Sequence, residues 1–323
     1  MKRVGLIGLG NLGSAIGANL IGAGHEVIGY RRSSMKAFVA MGGVAGKSPK
    51  DVAERADVVL VCLPSVDALH EVYSGPEGIL KSGRDGLDTF ELSTISLKAK
   101  VEECALANAH GVTMVDCTIS GNPTYIAARN AAIFAGGDHD AFDRWVTVLR
   151  DITDKVTWMG AFGTGRLAKF VALYLVATHT MAAAEAFQLA TRAGLDRGAM
   201  FEAIKGSNAT SAMFESRGEL MVDRDYAGYD SGKRRQNKTR EESGQLPNRG
   251  MANRSKSVGK LSGLAHGLGG VYPILDAMNK AYADATQSGA GVYDIAEVFE
   301  FFMADGEASP NMDAVMNLLD KFD

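Results

Sequence analysis

VGLIGLGNLGSAIGANL, residues 4–20, sets three glycines at a fixed spacing between a short apolar run and a stretch with helical character. The run VGLI reads as a strand and SAIGANLIGAG as a helix. Between them Gly8, Gly10 and Gly13 spell G-x-G-x-x-G. Each has its own physical task. Gly8 permits the tight turn out of the strand, Gly10 lets a phosphate approach the backbone, and Gly13 lets helix and strand pack closely. The helix N-terminus adds N–H groups and the positive end of its dipole, both suited to an anion. A glycine triplet alone also marks an ordinary turn. Its place after a strand and before a helix points instead to a dinucleotide pyrophosphate held by Gly8, Gly10, Asn11, Leu12 and Gly13.

Working outward, short β-rich runs keep alternating with helical patterns. EVIGY (26–30), a helix near 33–41 and DVVLVCLP (57–64) come next, with further strand candidates at 88–93, 112–117, 131–137 and 155–160. That rhythm predicts βαβ units and a parallel sheet. After Gly165 the strand signals fade, and helices are expected near 165–192, 196–205, 210–222, 252–268, 273–287, 292–303 and 310–322. The fold class that follows is an α/β Rossmann-type dinucleotide-binding domain, residues 1–162, followed by an all-α domain, residues 163–323. Within the second half, residues 225–250 are rich in charge, Gly, Asn and Gln with no apolar period, and read as an exposed basic loop insertion carrying Lys233, Arg234, Arg235, Lys238 and Arg240.

Composition narrows the function classes. The chain has 323 residues, 46% of them hydrophobic, enough to bury the cores of about two domains. Its net charge of −4 supplies no overall basic field for nucleic acid or an anionic membrane, so neither is expected as a partner. Cys62, Cys104 and Cys117 have no CxxC or Cys/His ligand spacing and read as small buried residues of a reduced protein. None of the six histidines has metal-ligand spacing, and metal-independent chemistry is expected. MKR runs straight into the first strand, leaving no room for a signal peptide, so the expected location is cytoplasmic. The apolar run 167–190 approaches membrane-spanning length, but Lys169, Glu185 and Gln188 would be costly in lipid, and a buried domain helix is expected.

The end of the second strand bears on which dinucleotide is bound. A site for NAD usually places Asp or Glu there to hold the ribose hydroxyls; this chain has GYRRSS, with Arg31, Arg32, Ser33 and Ser34. Guanidinium groups suit a 2′-phosphate, which they grip by charge-assisted, bidentate hydrogen bonds. NADP(H) is therefore expected over NAD(H). The plain alternative is a pair of surface arginines at a strand end.

One residue sits oddly. Lys169 lies early in the long apolar run, where a lysine normally snorkels near a helix start. GAFGTGRLAK, residues 160–169, has the spacing G-x-x-G-x-G-x-x-x-K. Together with GLGNLGSAIGANL, CLPS (62–65), LSTIS (92–96) and DCTISGNPTYIAARNAAIFAGG (116–137), it resembles the β-hydroxyacid dehydrogenase family, nearly end to end. That resemblance implies hydride transfer between NADP(H) and a small anionic β-hydroxy acid, its semialdehyde or its ketone. It puts Lys169 on the family's catalytic lysine, Leu63, Pro64 and Thr94 near the nicotinamide half, and Ser120 and Gly121 on the substrate-binding pair, with Asn122 beside them. A positioned amine can give or take the proton that accompanies hydride transfer at a carbinol carbon. Beside apolar walls an ammonium loses hydration, which eases release of that proton. The resemblance also implies a homodimer or a dimer-based homo-oligomer.

The pattern breaks at the substrate side. Four residues after its lysine the family carries an asparagine; here Leu173 stands there, one helical turn on. The family's third glycine and following G-A are replaced by Asn122, Pro123 and Thr124, so a narrower, differently polar pocket is expected. RSKSVGKL resembles the family's K-D-L segment, with Lys256 on the lysine and Ser257 replacing the aspartate; Lys256 is carried over as a cofactor-side or substrate-side residue. Two other functions stay open. One is an imine reductase-like enzyme, although such enzymes commonly lack the lysine. The other is a non-catalytic NADPH-binding protein with a decayed substrate site.

Overall fold

A computed structural model describes residues 1–226, 250–289, 294–304 and 306. The basic residues Lys233 to Arg240 and the helix expected at 310–322 lie outside the described residues. The chain divides into two compact units, Met1–Val171 and Ala172–Asp323.

The first unit is built on eight strands in the order β3-β2-β1-β4-β5-β6-β7-β8. They are β1 (Arg3–Ile7), β2 (Glu26–Tyr30), β3 (Val44–Ala45), β4 (Val58–Val61), β5 (Leu87–Glu91), β6 (Val112–Ser120), β7 (Ala132–Gly136) and β8 (Lys155–Trp158). Seven helices accompany them: α1 (Asn11–Gly22), α2 (Lys36–Ala40), α3 (Pro49–Arg55), α4 (Val66–Tyr73), α5 (Leu97–Ala109), α6 (Pro123–Ala127) and α7 (His139–Ile152). The strand order reverses direction between β1 and β4, where open α/β sheets leave a crevice at the strands' carboxyl ends. Side chains of β4 show why the sheet is sandwiched. Val58 and Leu60 enter one core cluster while Val59 and Val61 enter the other, and all four are 0% exposed. Period-two alternation with both faces apolar is what a buried parallel strand requires.

Two findings differ from the sequence reading of this unit. A short β3 pairs with β2 through Ile28↔Val44 and Gly29↔Ala45; two residues carry no detectable period. The sheet is also not wholly parallel, since β6 and β7 pair antiparallel from Asp116↔Gly136 to Ser120↔Ala132. The connection 121–131 holds only the five-residue α6, shorter than the helical crossover that a parallel return demands.

Helix starts follow local chemistry. Ser48, Ser65, Ser96 and Asp138 cap α3, α4, α5 and α7 by accepting from the backbone N–H three residues on. α1 alone of the long helices here has no side-chain cap and no acidic residue in its first turn.

α8 (Thr164–Arg192) runs from the first unit into the second, which also contains α9 (Arg197–Ile204), α10 (Ala212–Asp223), α11 (Gly250–Leu268), α12 (Pro273–Gln287) and α13 (Val298–Phe302). The helix expected at 292–303 is a 3-10 turn, Ile295–Glu297, leading into α13, because Asp294 and Glu297 form a capping box that starts the helix there. The second unit's core is aromatic: Phe187 stacks on Phe214 at 5.4 Å and meets Phe299 edge-on at 6.3 Å. Tyr282 is buried and donates to the Ala177 carbonyl at 3.1 Å.

α8 is long and apolar enough to cross a membrane by length and composition, as the sequence suggested, yet only 28% of its most apolar window is buried. Val171, Leu175 and Leu189 are 62%, 46% and 71% exposed, which corrects the expectation of a helix enclosed within one chain. The run is apolar on more faces than one chain covers.

Removing side-chain volume where both faces of the sheet are closed should be costly. Leu60→Ala is expected to lower the unfolding free energy by roughly 2–5 kcal/mol, read from the midpoint of urea denaturation.

Candidate active site

The glycine loop is steric in origin. Gly8 has φ +100°, and a β-carbon there would stand 2.0 Å from the Cys62 carbonyl oxygen; one on Gly13 would stand 2.0 Å from the Gly8 carbonyl oxygen. Both positions exclude every side chain, and Gly8 also adopts a backbone that side chains avoid. Their absence brings β1, β4 and the start of α1 together, with Gly8 N–H donating to the Tyr30 carbonyl at 3.0 Å and Cys62 N–H to the Ile7 carbonyl at 2.8 Å. At Gly10 nothing lies within 4 Å of a built β-carbon, so the backbone there faces open space.

That space is a cleft of about 790 Å³. Of the residues named from sequence it gathers Gly8, Gly10, Asn11, Leu12, Gly13, Arg31, Arg32, Leu63, Pro64 and Thr94. The uncapped first turn of α1 opens into it, which fits a pyrophosphate. Arg31 donates from Nε to Ser33 Oγ at 2.6 Å and from Nη1 to the Leu9 carbonyl at 2.9 Å. Ser33 thus braces Arg31, and Arg31 braces the glycine loop. Arg32 is 72% exposed and lies 3.4 Å from Glu71. Cys62 lines the cleft as a neutral thiol, since burial pushes it up to about 12.

Sequence reasoning missed the far wall. Glu71 and Val72 from α4, then Pro76 and Glu77, line the cleft, and Glu71 meets Arg32 there. No motif marks them. The available signal was topological, because the helix after β4 must flank the crevice where the strand order reverses.

Behind the cleft lies a buried charge cluster. The Lys100 ammonium, 0% exposed, is 2.6 Å from Glu91 Oε2 and 2.8 Å from Asp116 Oδ1, and both carboxylates are also 0% exposed. Two carboxylates outweigh the burial that opposes charge on Lys100 and raise it, while burial outweighs the ammonium's pull on Glu91 and raises that carboxyl as well. Hydrogen bonds extend from the cluster in two directions. Ser93 donates through both N–H and Oγ to Glu91 Oε1, and Ser93 Oγ accepts from the cleft residue Leu63 N–H at 2.7 Å. Asp116 Oδ2 accepts from Arg166 N–H at 2.9 Å, in the first turn of α8.

One turn further along, Lys169 Nζ donates to the Ile119 carbonyl at 2.8 Å. The lysine tip is therefore held at the end of β6, next to Ser120, and is half-buried. Gly121 and Asn122 follow, and Asn122 Oδ1 accepts from Tyr125 N–H at 2.8 Å, spending its oxygen on capping α6. Leu173 and Lys256 belong to the second unit, where Lys256 is exposed on α11. Among the described residues no group of three His, Cys, Asp or Glu side chains could hold a metal ion.

The NAD-binding domain of 6-phosphogluconate dehydrogenase matches residues 3–160, and the NAD-binding domain of NADP-dependent 3-hydroxyisobutyrate dehydrogenase matches residues 163–229. The "Probable 3-hydroxyisobutyrate dehydrogenase" of Mycobacterium tuberculosis is 36% identical over 210 residues, 64% of this chain and 70% of that one. The chain belongs to the β-hydroxyacid dehydrogenase family. It is an NAD(P)-dependent oxidoreductase of that family, acting on CH–OH groups. The mouse mitochondrial 3-hydroxyisobutyrate dehydrogenase is 35% identical over 195 residues, 60% of this chain and 58% of the relative. Among solved structures, a 3-hydroxyisobutyrate dehydrogenase from Mycobacterium tuberculosis, determined with L-serine, has a TM-score of 0.74 at 26% identity, covering 93% of this chain and 99% of its own. An imine reductase from Myxococcus stipitatus shares the fold, with a TM-score of 0.53 at 18% identity over 94% of this chain and 100% of its own.

The charge cluster makes a pH-dependent stability. Lys100→Met is expected to cost about 3–5 kcal/mol near neutral pH, because it strands two buried carboxylates. Burial raises the Glu91 carboxyl and Lys100 opposes that rise, so the variant should take up a proton there at higher pH than the wild type, and the deficit should shrink as denaturation is repeated from pH ~8 down to ~5.

Proposed function

We propose that this β-hydroxyacid dehydrogenase interconverts a small anionic β-hydroxy acid and its semialdehyde or ketone, prefers NADP(H) over NAD(H), and uses Lys169 as the proton carrier. The observation that carries the reading is the Lys169 Nζ contact with the Ile119 carbonyl at 2.8 Å, beside Ser120 at the end of β6. A nicotinamide cofactor held at the glycine loop by Gly8, Gly10 and Gly13 would supply or accept the hydride at the carbinol carbon. Lys169 gives a proton to the substrate oxygen in reduction and takes it in oxidation. A carbonyl acceptor at the end of β6 holds the ammonium in place. Ser120, with the backbone N–H groups of Gly121 and Asn122, holds the carboxylate. Leu173 replaces a hydrogen-bonding position with an apolar wall, so that carboxylate contact bears more of the substrate's orientation. Lys256 serves the cofactor side as a further cation.

The relatives named for 3-hydroxyisobutyrate, and the neighbour determined with L-serine, support acids with a hydroxyl on the β-carbon. Arg32 supports the phosphorylated cofactor, since it brings a mostly exposed guanidinium to the cleft. In this reading residues 1–162 form the NADP-binding domain and residues 163–323 the substrate and dimerisation domain. The exposed apolar residues of α8 support a homodimer or dimer-based oligomer. Three free cysteines support a reducing, cytoplasmic setting.

Lys169→Ala is expected to reduce kcat by about 100- to 10,000-fold across a panel of semialdehydes and β-hydroxy acids followed by NADPH absorbance, while NADPH binding stays within about twofold. Turnover unchanged in the variant would remove the lysine's role; binding without turnover of any substrate in the wild type would indicate a non-catalytic protein. Leu189→Glu should shift the light-scattering mass of the oligomer toward that of one chain if the α8 face is covered by a second copy.

A further inference from the structure

The strand end that lacks a carboxylate in sequence acquires one in the fold. Arg32, at the end of β2, and Glu71, on α4, both line the cleft, and Arg32 Nη1 lies 3.4 Å from Glu71 Oε2. The neighbouring Arg31 is already committed to Ser33 Oγ and the Leu9 carbonyl at 2.6 and 2.9 Å. Arg32 is therefore the guanidinium that a cofactor phosphate can recruit, and its standing counter-ion is Glu71. With side chains 72% and 60% exposed, the pair is solvated and exchanges readily.

We propose that Glu71 is a specificity-determining residue of the cofactor site, opposing a 2′-phosphate and favouring a 2′-hydroxyl. The inference rests on the reading above, which sets the adenosine ribose at the arginine end of the cleft. A 2′-phosphate must take Arg32 from Glu71 and then tolerates a carboxylate a few ångströms away. A 2′-hydroxyl needs no cation and can donate a hydrogen bond to that same carboxylate. One side chain thus acts with opposite sign on the two cofactors and holds the preference for NADP(H) to a modest one. Glu71 does from α4 what an acidic residue at the end of the second strand does in NAD-binding sites of this fold, and it does so against an arginine.

The test is the dissociation constant of NADPH and of NADH for the full-length chain, measured by fluorescence titration for wild type, Glu71→Gln, Arg32→Ala and Glu102→Gln. Glu71 is a solvated helix residue, so its variant should melt with the wild type. Glu71→Gln is expected to tighten NADPH by about fivefold, the effect of removing one like charge at this range in water, and to leave NADH unchanged or weaker. That gain should diminish at high salt. Glu102→Gln, at an exposed position of α5 outside the cleft lining, should leave both constants within about twofold, and Arg32→Ala should weaken NADPH alone. If the wild type prefers NADPH and Glu71→Gln alters both cofactors equally or neither, the inference is overturned while the cofactor reading stands. If Arg32→Ala leaves NADPH binding unchanged, the ribose does not lie at this end, and the reading beneath the inference falls with it.

Discussion

A β-carbon on residue 8 or residue 13 would sit 2.0 Å from a carbonyl oxygen, and the cleft depends on neither being there. Through this contact β1 reaches β4 at the reversal of strand order, and α1 begins close enough to the strand ends to aim its N-terminus into the crevice. No adjustment of side-chain rotamers relieves a clash between a β-carbon and a backbone oxygen. The uncapped start of α1 belongs to the same design. A Ser or Asp cap, present at the starts of α3, α4, α5 and α7, would occupy the N–H groups that a pyrophosphate needs.

The buried ammonium of Lys100 is a second constraint, of a different kind. It joins the carboxyl end of β5, through Glu91, to β6, through Asp116, within a sheet otherwise packed with Val, Leu and Ile. The hydrophobic effect is non-directional, whereas a buried ion cluster tolerates few arrangements. From it, hydrogen bonds reach Leu63 in the cleft and Arg166 in the first turn of the lysine-bearing helix. The cleft wall and the start of α8 are therefore referenced to one buried set of charges within the first unit.

α8 shows how a single composition serves several ends. Its start is pinned by Asp116 and carries Lys169 to the Ile119 carbonyl; its later turns supply Phe187 to an aromatic core; and Val171, Leu175 and Leu189 face outward. An apolar residue at nearly every position is what such multiple use demands, and it is also why the segment passes for a membrane span by length and composition.

The amino-acid sequence by itself determined the glycine loop, the alternation of strands and helices, the change to an all-helical second half, and the G-x-x-G-x-G-x-x-x-K spacing that singles out Lys169. These are local: a forbidden β-carbon, a period of two or of 3.6, and a helix start each leave their mark within a few residues. Only the tertiary structure decided what depends on distant partners. β6 and β7 turned out antiparallel because residues 121–131 are too few for a crossover. Lys100, unremarked in the sequence because nothing near it in the chain signals burial, became the centre of a charge cluster by meeting Glu91 and Asp116 across two strands. Glu71, some forty positions beyond Arg32, entered the cleft because α4 follows the strand at the reversal point. An ion pair or a cleft wall is a relation between segments, and single-chain periodicity carries no record of which segments meet.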